Sequence, residues 1–189
     1  MKRHIAGIAV LLALAAPILR ADIPAAVRAR AVKVIESLEQ AEREQARPAS
    51  HAPRSVEVSE ADLNAWIALR IGSEPDKHLQ SCEIRLLPGD RFEGKIVLDL
   101  SGTPATLLLP SETELFFSAT GESRDGKIRI ELAELFLGTQ RIAPAVLDKV
   151  IAFVSSLEGT PPASLNDWYA LPYGIRRLES RRGVLVCHY

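Results

Sequence analysis

The middle of the chain alternates apolar and charged residues, and this period of two restricts the fold more than any other feature. Cys82, Ile84 and Leu86 alternate with charged residues, and the turn Pro88-Gly89-Asp90 separates this run from a second one over 91–100. Successive side chains of a β-strand point to opposite faces of a sheet. The two runs therefore predict an antiparallel hairpin with one buried and one solvated face.

Two more alternating runs, over 113–120 and 127–137, surround the tight-turn pair Asp125-Gly126. Within the second of them the apolar positions change parity at Ala133-Glu134, so that Leu135 would point away from the apolar residues before it. A β-bulge or a covered second face would explain this change.

After Gly138 the apolar period changes to 3.6 residues, which is typical of a helix. Pro144 suits a first helical position and Gly159 a helix end. The apolar residues along this predicted helix are Leu147, Val150, Ile151, Val154 and Leu157. A face this wide predicts burial under the sheet. Beyond it, 175–180 and 184–188 predict a final hairpin.

Two helices are predicted ahead of the sheet. The segment Pro24–Arg47 has apolar residues at three- and four-residue spacing, and its polar face faces water, contacts a partner protein or lies at a membrane surface. A linker with two prolines follows it. Ser59 is a suitable N-cap for a second helix, whose apolar stripe includes Trp66 and Ile67.

The chain begins with features of an export signal. Lys2 and Arg3 precede an apolar run from Ile5 to Leu19, and Ala21 marks a plausible cleavage site. The run is shorter than the ~20 residues that a membrane-spanning helix needs. We therefore expect an exported, periplasmic or extracytoplasmic protein, or a membrane-anchored one if the signal is not cleaved.

These observations predict three parts: an export signal over 1–21, an N-terminal helix with its linker over 22–54, and one α+β domain over 55–189. In that domain we expect a curved antiparallel sheet wrapped on a long apolar helix. About 170 residues after cleavage are enough for one hydrophobic core.

Charge and motifs exclude several functions. The net charge is −1, and loss of residues 1–21 would remove three basic residues and make it more negative, which disfavours nucleic-acid binding. Four arginines near the predicted last turn are best explained as a solvated hairpin end: Arg176, Arg177, Arg181 and Arg182. No spacing of histidines and cysteines suits a metal, and no nucleophile or phosphate-loop motif occurs. We therefore predict a protein without a cofactor that is not an enzyme.

The chain has two cysteines, Cys82 and Cys187, both in predicted strands. In an exported protein such a pair predicts a disulfide. The alternative is two buried free thiols, because cysteine also packs as a small hydrophobic residue.

Four short motifs, in order, resemble small bacterial envelope proteins that are similar to the tubular lipid-binding (TULIP-like) superfamily. They are Val56–Ala68, Gly126-Lys127 with Leu137-Gly138, Ile142–Leu147 and Leu171–Ile175. Ala143, inserted between Ile142 and Pro144, departs from the pattern. The resemblance implies a strongly curved sheet around a helix, with an apolar groove.

The resulting hypothesis is a non-enzymatic binder or carrier of a lipid or other apolar ligand in the cell envelope. The alternative is a structural or interaction module of envelope assembly with a filled core, whose partner protein would bind the Pro24–Arg47 helix. The residues predicted to line the groove or core are Trp66, Ile67, Phe117, Ile130, Leu147, Val150, Ile151 and Val154.

Overall fold

The computed structural model describes residues 23–47, 53–73, 78–103, 106, 109–143, 145, 164 and 167–189. Its elements, in chain order, are α1 (Ala25–Gln45), β1 (Ser55–Ser59), α2 (Glu60–Ser73), β2 (Leu79–Leu87), β3 (Arg91–Asp99), β4 (Glu112–Arg124), β5 (Lys127–Leu137), β6 (Gln140–Ile142), β7 (Tyr169–Ala170), β8 (Arg177–Arg181) and β9 (Val184–His188). The predicted export segment lies outside these residues. The predicted helix over 144–157 is described only at Ala145, so Leu147, Val150, Ile151 and Val154 lie outside them as well.

The strands form two antiparallel sheets. The smaller sheet has the order β1-β9-β8. The larger sheet has the order β2-β3-β4-β5-β6, with β7 paired to β5, and it is curled into a half-barrel. These findings confirm the α+β class, the curved antiparallel sheet and the N-terminal helix. The predicted hairpins are β2–β3, β4–β5 and β8–β9, and their turns include Asp125 and Gly126 at positive φ, as a two-residue hairpin turn requires.

The change of parity in β5 is produced by a β-bulge. Ser118 pairs with Glu134 but Ala119 pairs with Leu132, which leaves Ala133 as the additional residue. The bulge brings Leu135 back to the inner face, where its side chain is only 1% exposed. The predicted bulge is therefore confirmed, and it keeps one face of a long strand apolar.

The two helices pack together at one side of the sheets. The residues that α1 buries are Ala31, Val34, Leu38 and Ala41, spaced as one helical face requires. At the start of α2 the Asp62 N–H donates to Ser59 Oγ over 3.2 Å, and this confirms the predicted cap. Neither described helix is long and apolar enough to cross a membrane.

Four of the residues predicted for the groove or core lie in the hydrophobic core: Trp66, Ile67, Phe117 and Ile130. The Phe117 ring lies directly against Gly94 of β3, where a Cβ atom would come within 2.5 Å of the ring. Glycine at this position allows a large aromatic side chain to pack flat on the inner face of the sheet.

Candidate functional site

The second helix, α2, has two faces with different surroundings. One face carries Leu63 and Trp66 and packs towards α1 and the smaller sheet. The other face carries mostly small residues and is directed towards β2. Residues three, four or seven apart share a helical face, so this division follows from the sequence of α2. The candidate site lies on the small-residue face.

An open groove of about 730 Å³ lies between α2 and β2, and we call it the α2–β2 groove. One wall consists of Ala61, Asn64, Ala65, Ala68, Ile71 and Gly72 of α2, and the opposite wall is the segment Leu79–Glu83 of β2. Ile23, Val27 and Arg30 close one side. This volume is within the range of ligand pockets, about 300–1,000 Å³.

Ile23 and Gly72 hold this side of the groove in place. The Ile23 side chain lies so close to Gly72 that a Cβ atom there would come within 2.6 Å of Ile23 Cδ1. The glycine therefore lets the start of the first helix lie directly on the end of α2. Arg30, on the same side, forms an exposed ion pair with Asp62 over 3.5 Å.

Among the described strands, β2 pairs with β3 alone, and its other edge faces α2. The Asn64 side-chain amide binds both backbone groups of Ile84: its Nδ2 donates to the Ile84 carbonyl and its Oδ1 accepts from the Ile84 N–H, both over 2.8 Å. The amide thus takes the place of a neighbouring strand. Side chains or loops that cover a sheet edge prevent unwanted strand pairing.

The next edge position, Leu86, is covered as well. Its N–H donates to Glu60 Oε2 over 2.7 Å, and its carbonyl accepts from the Gly183 N–H over 3.2 Å. The start of α2 and the β8–β9 turn therefore satisfy the outward backbone groups of β2 at Leu86. The part of the same edge from Leu79 to Glu83 borders the groove.

The other face of α2 encloses little space. A cavity of about 30 Å³ lies among Leu38, Trp66, Ile175 and Cys187. The Trp66 indole N–H is buried and has no hydrogen-bond partner within the described ranges. The Tyr173 hydroxyl lies nearby, and burial is the main cause that raises its pKa. This side of α2 is a packed core.

Both cysteines are free, buried thiols, so the structure contains no disulfide between them. Cys82 lies in β2 and lines the groove, whereas Cys187 lies in β9 of the other sheet and lines the small cavity. The predicted disulfide is corrected to its alternative, because the two strands belong to different sheets on opposite faces of α2. Burial raises the pKa of each thiol to about 12.

The chemistry of the described residues offers no catalytic arrangement that we can assign. No group of three histidine, cysteine or acidic side chains that could hold a metal occurs in the described segments. Glu179 is the most connected carboxylate, with Arg181 and His188 as partners, and hydrogen bonds from Arg181 are the first cause that lowers its pKa. Its side chain is partly exposed, and we assign it to the surface of the β8–β9 hairpin.

Sequence reasoning identified the apolar stripe of α2 but not the groove on its other face. Trp66 and Ile67 were predicted for the groove or core and belong to the core, while Phe117 and Ile130 lie on the inner face of the sheet. None of these four residues lines the α2–β2 groove. The sequence feature that could have indicated the groove is the repeat of small residues at Ala61, Ala65 and Ala68, because small side chains leave space beside a helix.

Comparisons with protein-family models, with curated proteins and with solved structures gave no match. The class of protein is therefore defined by the fold alone, as an α+β domain with a curled antiparallel sheet and an open groove at its edge.

Proposed function

We propose that this protein is a non-enzymatic binder or carrier of a lipid or other apolar ligand in the cell envelope, and that the α2–β2 groove holds the ligand. The observation that carries this proposal is the groove itself, about 730 Å³ in volume, whose alanine, isoleucine, valine and leucine side chains are joined by the polar residues Arg30, Asn64, Gln80, Ser81 and Glu83. When a ligand covers apolar surface of this kind, the removal of that surface from water favours binding.

Two features of the sequence support the proposed location in the cell envelope. The basic start followed by the apolar run Ile5–Leu19 is typical of an export signal. The ordered motifs that resemble the TULIP-like superfamily point to the same compartment and to an apolar ligand. We further propose that the apolar helix expected over 144–157 is covered by the curled sheet, because its face is too wide for a solvated helix.

The alternative, a structural module with a filled core that binds a partner protein through the Pro24–Arg47 helix, has less support. The apolar face of α1 is used within the chain, where Val34 and Leu38 are buried. The large apolar residue that α1 leaves exposed within its described length is Val32, at 40%. One residue is too small an apolar patch to recommend α1 as an interface.

The test is binding of a fluorescent fatty acid, together with native mass spectrometry of protein expressed with its N-terminal segment. We expect a discrete added mass in the mass spectrum and saturable fluorescence. Ala68→Leu, at an exposed position in the groove wall, should weaken binding at least about tenfold, which corresponds to about 1.4 kcal/mol.

The matched control is Ala29→Leu, an exposed alanine of α1 outside the groove, which should bind like the unaltered protein. Both variants should retain their thermal stability, since both positions face solvent. Equal binding by the two variants would place the ligand outside the groove, and absence of fatty-acid binding by the unaltered protein would exclude a lipid as the ligand.

A further inference from the structure

The outward edge of β2 is closed at two successive positions and open at the third. Backbone groups of alternate strand residues point to the same side, so the groups that face α2 belong to Leu86, Ile84 and Cys82. Leu86 is satisfied by Glu60 and Gly183, and Ile84 by Asn64. In the described part of the chain, nothing is bonded to Cys82 on that side, and Cys82 lines the groove.

The open position at Cys82 comes next along the edge to Ile84, where the Asn64 side chain already takes the place of a neighbouring strand. The Asn64 amide makes the same donor and acceptor pair with Ile84 that a backbone peptide group of an added strand would make. One step further along β2 the groove begins, and its walls at Ala65 and Ala68 project no side chain beyond a methyl group. The space where the next peptide group would lie is therefore free.

This edge distinguishes two kinds of apolar ligand. An acyl chain lying on β2 would bury the Cys82 N–H and carbonyl without a hydrogen-bond partner, which is unfavourable. An extended peptide would supply a carbonyl and an N–H to the same groups while its side chains contact the apolar walls. Strand addition to an exposed sheet edge is an established mode of peptide recognition.

We propose that the ligand of the α2–β2 groove is an extended, uncharged peptide segment that adds to β2 as a strand beside Cys82. This inference rests on the proposed function, and it names the chemical class of the apolar ligand. The added strand would be centred on Cys82, where the edge of β2 is open and borders the groove. The groove borders carry one charge of each sign, Arg30 and Glu83, which favours a neutral peptide.

The probe is a fluorescein-labelled, acetylated heptapeptide in which valine alternates with serine. Its matched control carries N-methyl groups on alternate amides, which removes the donors for strand pairing and leaves the side chains unchanged. We expect fluorescence polarisation to show saturable binding of the probe, a loss of at least about tenfold with the methylated control, and a similar loss in Ala68→Leu.

The two cysteines provide a readout at the edge itself. Labelling with ¹⁵N-cysteine gives two backbone signals, one from Cys82 at the open edge and one from Cys187 in β9, which pairs with strands on both sides. The probe should slow hydrogen exchange of the Cys82 amide at least about tenfold and leave the Cys187 amide unchanged.

The outcomes separate this inference from the function on which it rests. Binding of the fatty acid without binding of the peptide would overturn strand addition and keep the proposed function. Equal binding of both peptides, or no change at the Cys82 amide, would also overturn strand addition. Absence of binding by both probes would overturn both proposals.

Discussion

The two faces of α2 show how side-chain size decides whether a helix closes a core or leaves a groove. Leu63 and Trp66 face α1 and the smaller sheet, and the cavity beside them is about 30 Å³. Ala61, Ala65 and Ala68 face β2, and the space beside them is about 730 Å³. Both faces belong to the same 14-residue helix, so backbone geometry alone does not account for the difference.

The two faces of α2 also differ in whether the backbone groups of the neighbouring strands have hydrogen-bond partners. On the packed side, β9 pairs with β1 on one edge and with β8 on the other. On the open side, α2 contributes Glu60 and Asn64 to the β2 edge and then apolar residues that offer no side-chain hydrogen bond, Ala65, Ala68, Ile71 and Gly72. The same helix therefore seals one part of the edge and leaves the next part accessible, which is the arrangement expected of a site.

The largest effect is expected from the packed face. Trp66→Ala removes a 95%-buried indole and should lower the free energy of unfolding by about 3–5 kcal/mol. Urea denaturation measures this loss. The control is Trp168→Ala, because that residue is only half-buried and its ring has the guanidinium groups of Arg124 and Arg129 at 4.6 and 5.3 Å from its centre. The control should lose about 1 kcal/mol. Equal losses would mean that Trp66 does not lie in a packed core.

A smaller effect is expected where α2 seals the β2 edge. Asn64→Ala leaves the half-buried N–H and carbonyl of Ile84 without their partner and should cost about 1–3 kcal/mol. The same urea titration measures it, with hydrogen exchange at the Ile84 amide as a local readout. Glu60→Gln keeps an acceptor for the Leu86 N–H and should cost less. A stable Asn64→Ala variant with an unchanged Ile84 amide would show that the edge is not held by this side chain.

The sequence predicts the strands well because each period-two run carries its own evidence. The change of parity at Leu135 is an example, since it left two explanations, a bulge or a covered second face, and the structure has a bulge at Ala133. The cap at Ser59 is another local signal of this kind. These features depend on residues that are close together in the chain.

The groove could not be predicted in the same way, because it depends on which elements become neighbours. Asn64 and Ile84 are 20 residues apart, and nothing in either segment alone indicates that an amide will take the place of a strand. Trp66 and Ile67 were predicted for groove or core together, since hydrophobicity does not distinguish a filled face from an open one. Likewise, two cysteines in strands do not reveal that their strands belong to different sheets.

The smallest effect concerns those two cysteines, one on each side of α2. Burial raises the pKa of both thiols from an ordinary value of 9.0 to about 12. Well below pH 9 the thiols are protonated in folded and unfolded chains alike, so they do not change stability. Between pH 9 and pH 12 the unfolded thiols ionise while the buried ones do not, so stability must fall as pH rises.

Between pH 8 and pH 9.5 each thiol should contribute a loss of about 1 kcal/mol, which urea titrations at the two pH values measure. Cys82→Ala and Cys187→Ala should each remove their own share of this pH-dependent difference, whatever they do to stability at pH 8. The difference between pH values is the readout, because each variant also loses packing. Tyr173 and Tyr189, whose pKa values burial also raises, ionise at higher pH in the unfolded chain and contribute little to this interval. A disulfide would abolish the pH-dependent contribution of both thiols. A contribution of Cys82 near zero would mean that water in the groove reaches its thiolate. The open face of α2 would then be more hydrated than the burial of Cys82 indicates.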